Sequence, residues 1–269
     1  MNYEIVIYLV IATLFLILAQ VARATRWALL FPSGYLVTRF NLLLALTAGY
    51  AINAAIPFKV GEIFRILFVS VREKVSVSFV TATVVAERLS DLLVVSLIAI
   101  SLSMLDLKMS NLLWHIGTVM LLFAIVIIFS ALLIYRNSRF RKMIWAIASM
   151  FNEKIKFAIV EFCWSYSELI RHEVLRPNFV IATLIMWTLY CGSFFIFGYA
   201  ANIGFEHTFI LLAGNPWGSL LDSTADIPKQ TAIQLITFAA VPILVFAIYG
   251  ILRQWSPIIH DFSVYWKYG

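Results

Sequence analysis

The sequence contains apolar runs too long for the core of a domain this size in water. Residues 5–22, 77–105, 115–135, 178–201 and 231–252 are each dominated by aliphatic and aromatic side chains. A helix needs about 20 such residues to cross the roughly 30 Å hydrocarbon core of a bilayer. Composition agrees: hydrophobic residues are 62% and charged residues 13% of the 269, against about 45–50% and 25% in soluble domains. Too little polar surface is left to coat a soluble particle. The expected fold is an all-α, polytopic integral membrane helical bundle.

Twenty Lys and Arg against fourteen Asp and Glu leave a net charge of +6. The basic residues flank the apolar runs, which fits anchoring at an anionic cytoplasmic leaflet and not nucleic-acid binding. Cys163 and Cys191 make no disulfide framework and no C-x2-C spacing, and the four histidines form no H-E-x-x-H pattern. No metal site and no cofactor is expected. The run at 5–22 is preceded by Glu4, without a basic n-region or a small-residue cleavage site, so it reads as an uncleaved span.

Two shorter stretches break the pattern. Residues 40–57 are rich in small and polar side chains, and 208–221 is interrupted by Gly214-Asn215-Pro216. Both read as re-entrant or broken segments. Loop charge supports this for the first. Residues 23–39 carry three Arg and no acid, and residues 59–76 carry four basic and two acidic residues. A full crossing at 40–57 would put two basic linkers on opposite sides, against the positive-inside rule. Residues 136–177, with eight basic and four acidic residues, also belong to the cytoplasm. This gives five full spans and two re-entrant segments in a multi-pass protein of the cell membrane, with the N-terminus outside and the C-terminus inside.

One membrane domain over 1–269 is expected. A first unit covers 1–105, a cytoplasmic amphipathic linker 136–177, and a second unit 178–252. The order span, re-entrant segment, span occurs in both units with opposite entry, as in inverted-repeat transporters. Within the linker, residues 136–171 read as one interfacial helix, with Phe140, Ile144, Ile147, Phe151, Ile155, Ala158, Phe162 and Leu169 at helical spacing. A surface helix of a cytosolic bundle would show the same pattern. Trp27, Trp114 and Trp255 read as aromatic-belt residues at span ends.

Two polar constellations stand out against this background. In the first, Ala45, Gly49 and Asn53 make a small helical face ending in an amide. Pro57 then stops the helix, Gly61 frees the backbone, and Glu62 and Arg65 share a face of the next turn. With Lys59, this is a helix break carrying an amide, two cations and a carboxylate. Such a break survives at membrane depth only where protein buries it or it lines a wet cavity; an interfacial loop with snorkelling Lys59 and Arg65 would read the same. The second constellation is Glu87-Arg88-Leu89-Ser90-Asp91, inside an apolar run of 29 residues. Charges there cost about 2.5–3.5 kcal/mol each at a helix centre, so they need partners. They could line a cavity or form an ion network that pins the broken segment.

Together these residues resemble the flippase-like family that includes the transmembrane region of lysylphosphatidylglycerol synthases. The matching positions are Asn53, Pro57, Gly61, Glu62 and Arg65, then Glu87, Arg88 and Asp91, with Arg26-Trp27 ahead of them. The resemblance implies a lipid translocase for an anionic phospholipid or a polyprenyl-phosphate-linked sugar. Lys59, Arg65 and Arg88 would contact phosphate, Glu62, Glu87 and Asp91 would orient these cations or meet a cationic headgroup, and Asn53 would bond the headgroup. Pro57, Gly61 and Pro216 would be the structural breaks. The second half departs from the family pattern, since no acid follows Pro216 until Asp222. Lysyl-lipid synthesis is not implied, and no enzyme activity is expected. Other readings are a scaffold recruiting a glycosyltransferase through 136–171, or a lipid-headgroup enzyme. No P-loop is present, so direct ATP use is not expected. The oligomeric state is open, with Ala200-x-x-x-Gly204 as a small-residue pair of low specificity.

Overall fold

The computed structural model of the protein describes residues 3–32, 34–55, 60–104 and 110–200. Every regular element among them is helical: α1 (Tyr3–Ala28), α2 (Arg39–Ala55), α3 (Val60–Glu73), α4 (Val77–Ser103), α5 (Ser110–Arg136), α6 (Ser138–Ala148), α7 (Glu153–Glu168) and α8 (Pro177–Ala200). A five-residue π-helical turn, Leu169–Glu173, follows α7. Three described helices are long and apolar enough to cross a bilayer: Ile5–Ala28, Leu113–Arg136 and Pro177–Ala200. The 27 residues of α4 span about 40 Å at 1.5 Å per residue, but its charged middle sets it apart from the other three. The chain is a helical membrane bundle. The spans and breaks placed beyond residue 200, Pro216 included, lie outside the described residues.

The chain divides into two compact units. One holds residues 3–28, 36–74 and 181–200 of those described; the other holds 29–35 and 75–180.

In the first unit α1 and α8 run antiparallel. Ser193 Oγ donates to the Ala12 carbonyl at 2.8 Å, and the rings of Tyr8 and Tyr199 meet edge to face at 5.3 Å. Beside them α2 and α3 form an antiparallel hairpin around residues 56–59. Its open end is tied by Glu73, whose Oε1 accepts from Asn41 Nδ2 at 2.7 Å and from the Thr38 backbone at 3.3 Å. Its closed end is tied by Asn53 Oδ1, which accepts from the Gly61 backbone N–H at 2.7 Å. The chain therefore leaves the hairpin at the end where it entered.

Residues 59–76, expected to be a linker, are corrected by α3. Four basic and two acidic residues made the segment look like a loop, but it forms a 14-residue helix in which Phe68, Val69 and Val71 are buried together with Arg65. Lys74, in the left-handed conformation at φ 55°, ends the helix.

The second unit packs α4 antiparallel to α5, with Gly117 against Ala99 and Ile100, and lays α7 across both helices. Ser76 links two of these elements. Its Oγ accepts from Phe79 N at 3.2 Å as the α4 N-cap and donates to Glu161 of α7 at 2.6 Å. Residues 136–171 are not one interfacial helix. The segment breaks at residues 149–152, where Asn152 Oδ1 accepts from Ile155 N at 2.9 Å and starts α7 afresh. The apolar period runs across this break, which is why the pattern suggested continuity.

Gly61 allows the hairpin to close. A Cβ there would overlap the Gly49 carbonyl oxygen and come within 2.7 Å of Asn53 Oδ1, and backbone cannot swing aside as a side chain can. Gly61→Ala is expected to lose about 1–3 kcal/mol or more of stability. Gly34→Ala, where a Cβ would meet nothing within 4 Å, is expected to change it little. Thermal unfolding of both variants in detergent checks the contrast.

Candidate functional site

The hairpin brings the first constellation against the end of α1. Arg23, Arg26 and Trp27 lie three and four residues apart, on one face of the last turns of α1. All three are buried, with relative exposures of 4%, 0% and 0%. Two of them were expected in a linker and the third in an aromatic belt. Instead α1 runs on to Ala28, and Trp27 faces the hairpin. The Arg65 guanidinium lies over the Trp27 ring, 5.1 Å from its centroid. Its Nε is 2.7 Å from Glu62 Oε2, with the Arg65 side chain 3% exposed and that of Glu62 26%. Arg23 repeats the arrangement on α2: Nη1 donates to the Tyr50 hydroxyl, and the guanidinium lies 5.5 Å over the Tyr50 ring.

Burying a guanidinium forfeits its hydration, and an aromatic face recovers part of that without adding a negative charge. Arginine suits such a place because its planar cation is weakly hydrated and stays charged. The site therefore keeps its positive character: Arg23 and Arg65 lie at the hairpin, Arg26 is buried in the same turns of α1 as Arg23, and Glu62 stands in the first turn of α3. There the carboxylate is also favoured by the helix dipole and holds Arg65 in place.

A small cavity lies between the two helices of the hairpin, lined by Leu46, Gly49, Tyr50, Asn53, Gly61, Glu62 and Arg65. Its volume is about 10 Å³, room for one water at most. A phosphate headgroup could enter only if the hairpin opened. Pro57 and Lys59 lie outside the described residues. Asn53, Gly61, Glu62 and Arg65 are brought together as the sequence suggested. Arg23, Trp27 and Tyr50 were not expected there; the signal was the Arg-x-x-Arg-Trp stripe on a single helical face.

The second constellation belongs to the second unit. On α4, Glu87 is fully buried. Arg88 Nη1 stands 3.8 Å from Asp91 Oδ2, with side chains 43% and 16% exposed. Thr83, Ser90 and Ser96 turn their hydroxyls back onto carbonyls of their own helix at 2.6–3.0 Å. Among the described residues no group of three or more His, Cys, Asp and Glu is placed to hold a metal ion.

If Arg65 and Trp27 act on each other as the geometry indicates, their substitutions should not add. A double-mutant cycle of Trp27→Leu and Arg65→Gln, read by chemical unfolding in detergent, is expected to show a coupling of about 1–2 kcal/mol.

The model of a known protein family, the lysylphosphatidylglycerol synthase TM region, matches residues 1–214, which takes in all eight described helices. Comparison with curated proteins and comparison with solved structures each returned no match. Both constellations and the Arg26-Trp27 pair fall inside the matched region. With 214 of its 269 residues under that match, the chain belongs to the family of lysylphosphatidylglycerol synthase transmembrane regions.

Proposed function

We propose that this membrane domain moves an anionic phospholipid or a polyprenyl-phosphate-linked sugar between leaflets, with the α2–α3 hairpin as the element that meets the headgroup. One observation carries the reading: arginines are buried against aromatic faces beside a break between two helices. A span built only to cross a membrane gains nothing from holding three guanidinium groups out of water. A path for a phosphate needs them, because charge-assisted hydrogen bonds from Arg replace the water that the headgroup leaves behind.

In this reading Arg65 and Lys59 contact the phosphate and Asn53 bonds the headgroup. Glu62 holds Arg65 until a lipid phosphate competes for it. In the second unit Arg88 is the phosphate contact, while Glu87 and Asp91 orient it or meet a cationic headgroup. The closed hairpin is the resting state. Opening exchanges the Asn53–Gly61 hydrogen bond and the Arg65–Glu62 pair for contacts with the lipid, so the two states differ by only a few polar interactions.

The test is transbilayer movement of labelled phospholipids and of a polyprenyl-phosphate sugar in proteoliposomes. Wild type is expected to move one lipid class. A folded Arg65→Gln is expected to be about tenfold to a hundredfold slower, for a lost contact of roughly 1.5–3 kcal/mol. Lys154→Gln, on the exposed side of α7, is expected to keep the wild-type rate. Equal rates in wild type and Arg65→Gln would overturn the proposal. A glycosyltransferase that co-purifies with well-folded but inactive protein would favour the scaffold.

A further inference from the structure

We propose a second lipid site: the groove between the end of α5, α6 and α7 holds an anionic membrane phospholipid, phosphate at Arg141 and Lys142 and acyl chain along the apolar interior. The inference rests on α5 crossing the bilayer and not on the translocase reading.

The groove has a volume of about 440 Å³, far more than the cavity inside the hairpin. Ile134, Ile144, Val160 and Cys163 supply its deeper, apolar lining. Burial there pushes the Cys163 thiol above its ordinary value, as a largely apolar setting requires. Its exposed edge carries Trp145 and Trp164, 54% and 46% exposed, together with the exposed Arg141 and Lys142.

The charge of this edge is one-sided. α6 contains Arg139, Arg141 and Lys142 and no acid. Three cations sit against the aromatic rings around the groove: Arg141 at 6.0 Å from Trp164, Lys156 at 4.4 Å from Trp145 and Arg171 at 4.0 Å from Tyr135. Arg141 Nη1 also donates to the Tyr135 carbonyl at 2.9 Å, which fixes it at the end of α5. Of the acids of α7 and the turn after it, Glu153 pairs with one of these cations, Lys156, at 3.3 Å, while Glu161 accepts from Ser76, Glu168 lies 3.6 Å from His172 and Glu173 meets Arg176 at 3.0 Å, away from the groove edge. Trp rings with Arg and Lys above an apolar floor match the headgroup boundary of a bilayer.

The apolar part decides between a lipid and a soluble anion. Ile134 is two residues beyond Leu132, the last of the strongly exposed apolar residues of α5, which include Val119, Phe123, Val126 and Phe129 at 59–65% exposure. In a spanning helix those side chains face acyl chains, so a lipid lying along them reaches the groove with its headgroup at the level of α6. A free phosphate would use only the two cations.

The test uses the whole chain in phosphatidylcholine nanodiscs with trace phosphatidylglycerol carrying a diazirine on its acyl chain. Adducts are mapped by mass spectrometry and compared with those from the matching phosphatidylcholine probe. Wild type is expected to favour the phosphatidylglycerol probe at Ile144, Val160 and Cys163. Removing one cation should cut that preference about fivefold, and Arg141→Gln/Lys142→Gln should bring it to parity. Arg141→Lys/Lys142→Arg should retain it, and labelling at Val119, Phe123 and Val126 should not change. Equal labelling by both probes in wild type would overturn the proposal, as would a preference that survives the double Gln variant. So would competition by inorganic phosphate, which would point to a soluble anion, or cross-links between copies at Trp145 and Trp164, which would show that a second copy fills the groove.

Discussion

Two backbones in direct contact, at Gly49 and Gly61, set the geometry of the first unit. A Cβ at Gly49 would come within 2.9 Å of the Gly61 carbonyl oxygen, so α2 and α3 approach as closely as helices can. That contact puts Asn53 within bonding distance of the Gly61 N–H and brings the root of Arg65 against α2. With larger residues at the seam the helices would separate, and the amide and the guanidinium would lose the positions that make them a site. Small residues serve this purpose in membranes, where no hydrophobic effect drives helices together and close van der Waals contact must do so.

The second constraint is desolvation. Arginines gathered near one another in a low-dielectric setting repel one another and have lost their water. The aromatic faces of Trp27 and Tyr50 and the carboxylate of Glu62 relieve this without cancelling the positive charge. The arrangement is stable while closed and remains attractive to an anion, which a fully neutralised ion network would not be. The same devices recur at the α6–α7 groove in a wetter form, with exposed tryptophans and arginines in place of buried ones. Side-chain burial therefore separates the two places chemically: in one the charge is shielded, in the other it is exposed beside apolar surface.

Much of this could be read in the residues. Long apolar runs and the scarcity of charge determined the membrane class. Pro57, read as a break, lies outside the described residues, and Gly61, read as freeing the backbone, sits inside α3 and serves the close contact with Gly49. Loop charge suggested that α2 does not cross the membrane, although the second of the two basic linkers is the helix α3. What stayed hidden was hidden for physical reasons. α3 carries enough charge to pass for a loop, and one of its charges, Arg65, is buried together with Phe68, Val69 and Val71. Trp27 stands where an aromatic belt would put a tryptophan, and its burial depends on a helix distant in sequence. The break between α6 and α7 lies inside an unbroken apolar period and rests on one side chain, Asn152.

The central claim is that α2 and α3 enter and leave the membrane on one side, presenting the arginine site from there. The most direct measurement is labelling of single cysteines by a membrane-impermeant maleimide in right-side-out and inverted vesicles. The sites are Tyr3→Cys, Leu36→Cys and Lys74→Cys, each in a Cys163→Ser/Cys191→Ser background. The account expects the Leu36 and Lys74 positions to react from the cytoplasmic side and the Tyr3 position from the opposite side. Reaction of Leu36→Cys and Lys74→Cys from opposite sides would make α2 or α3 a full crossing and contradict the account.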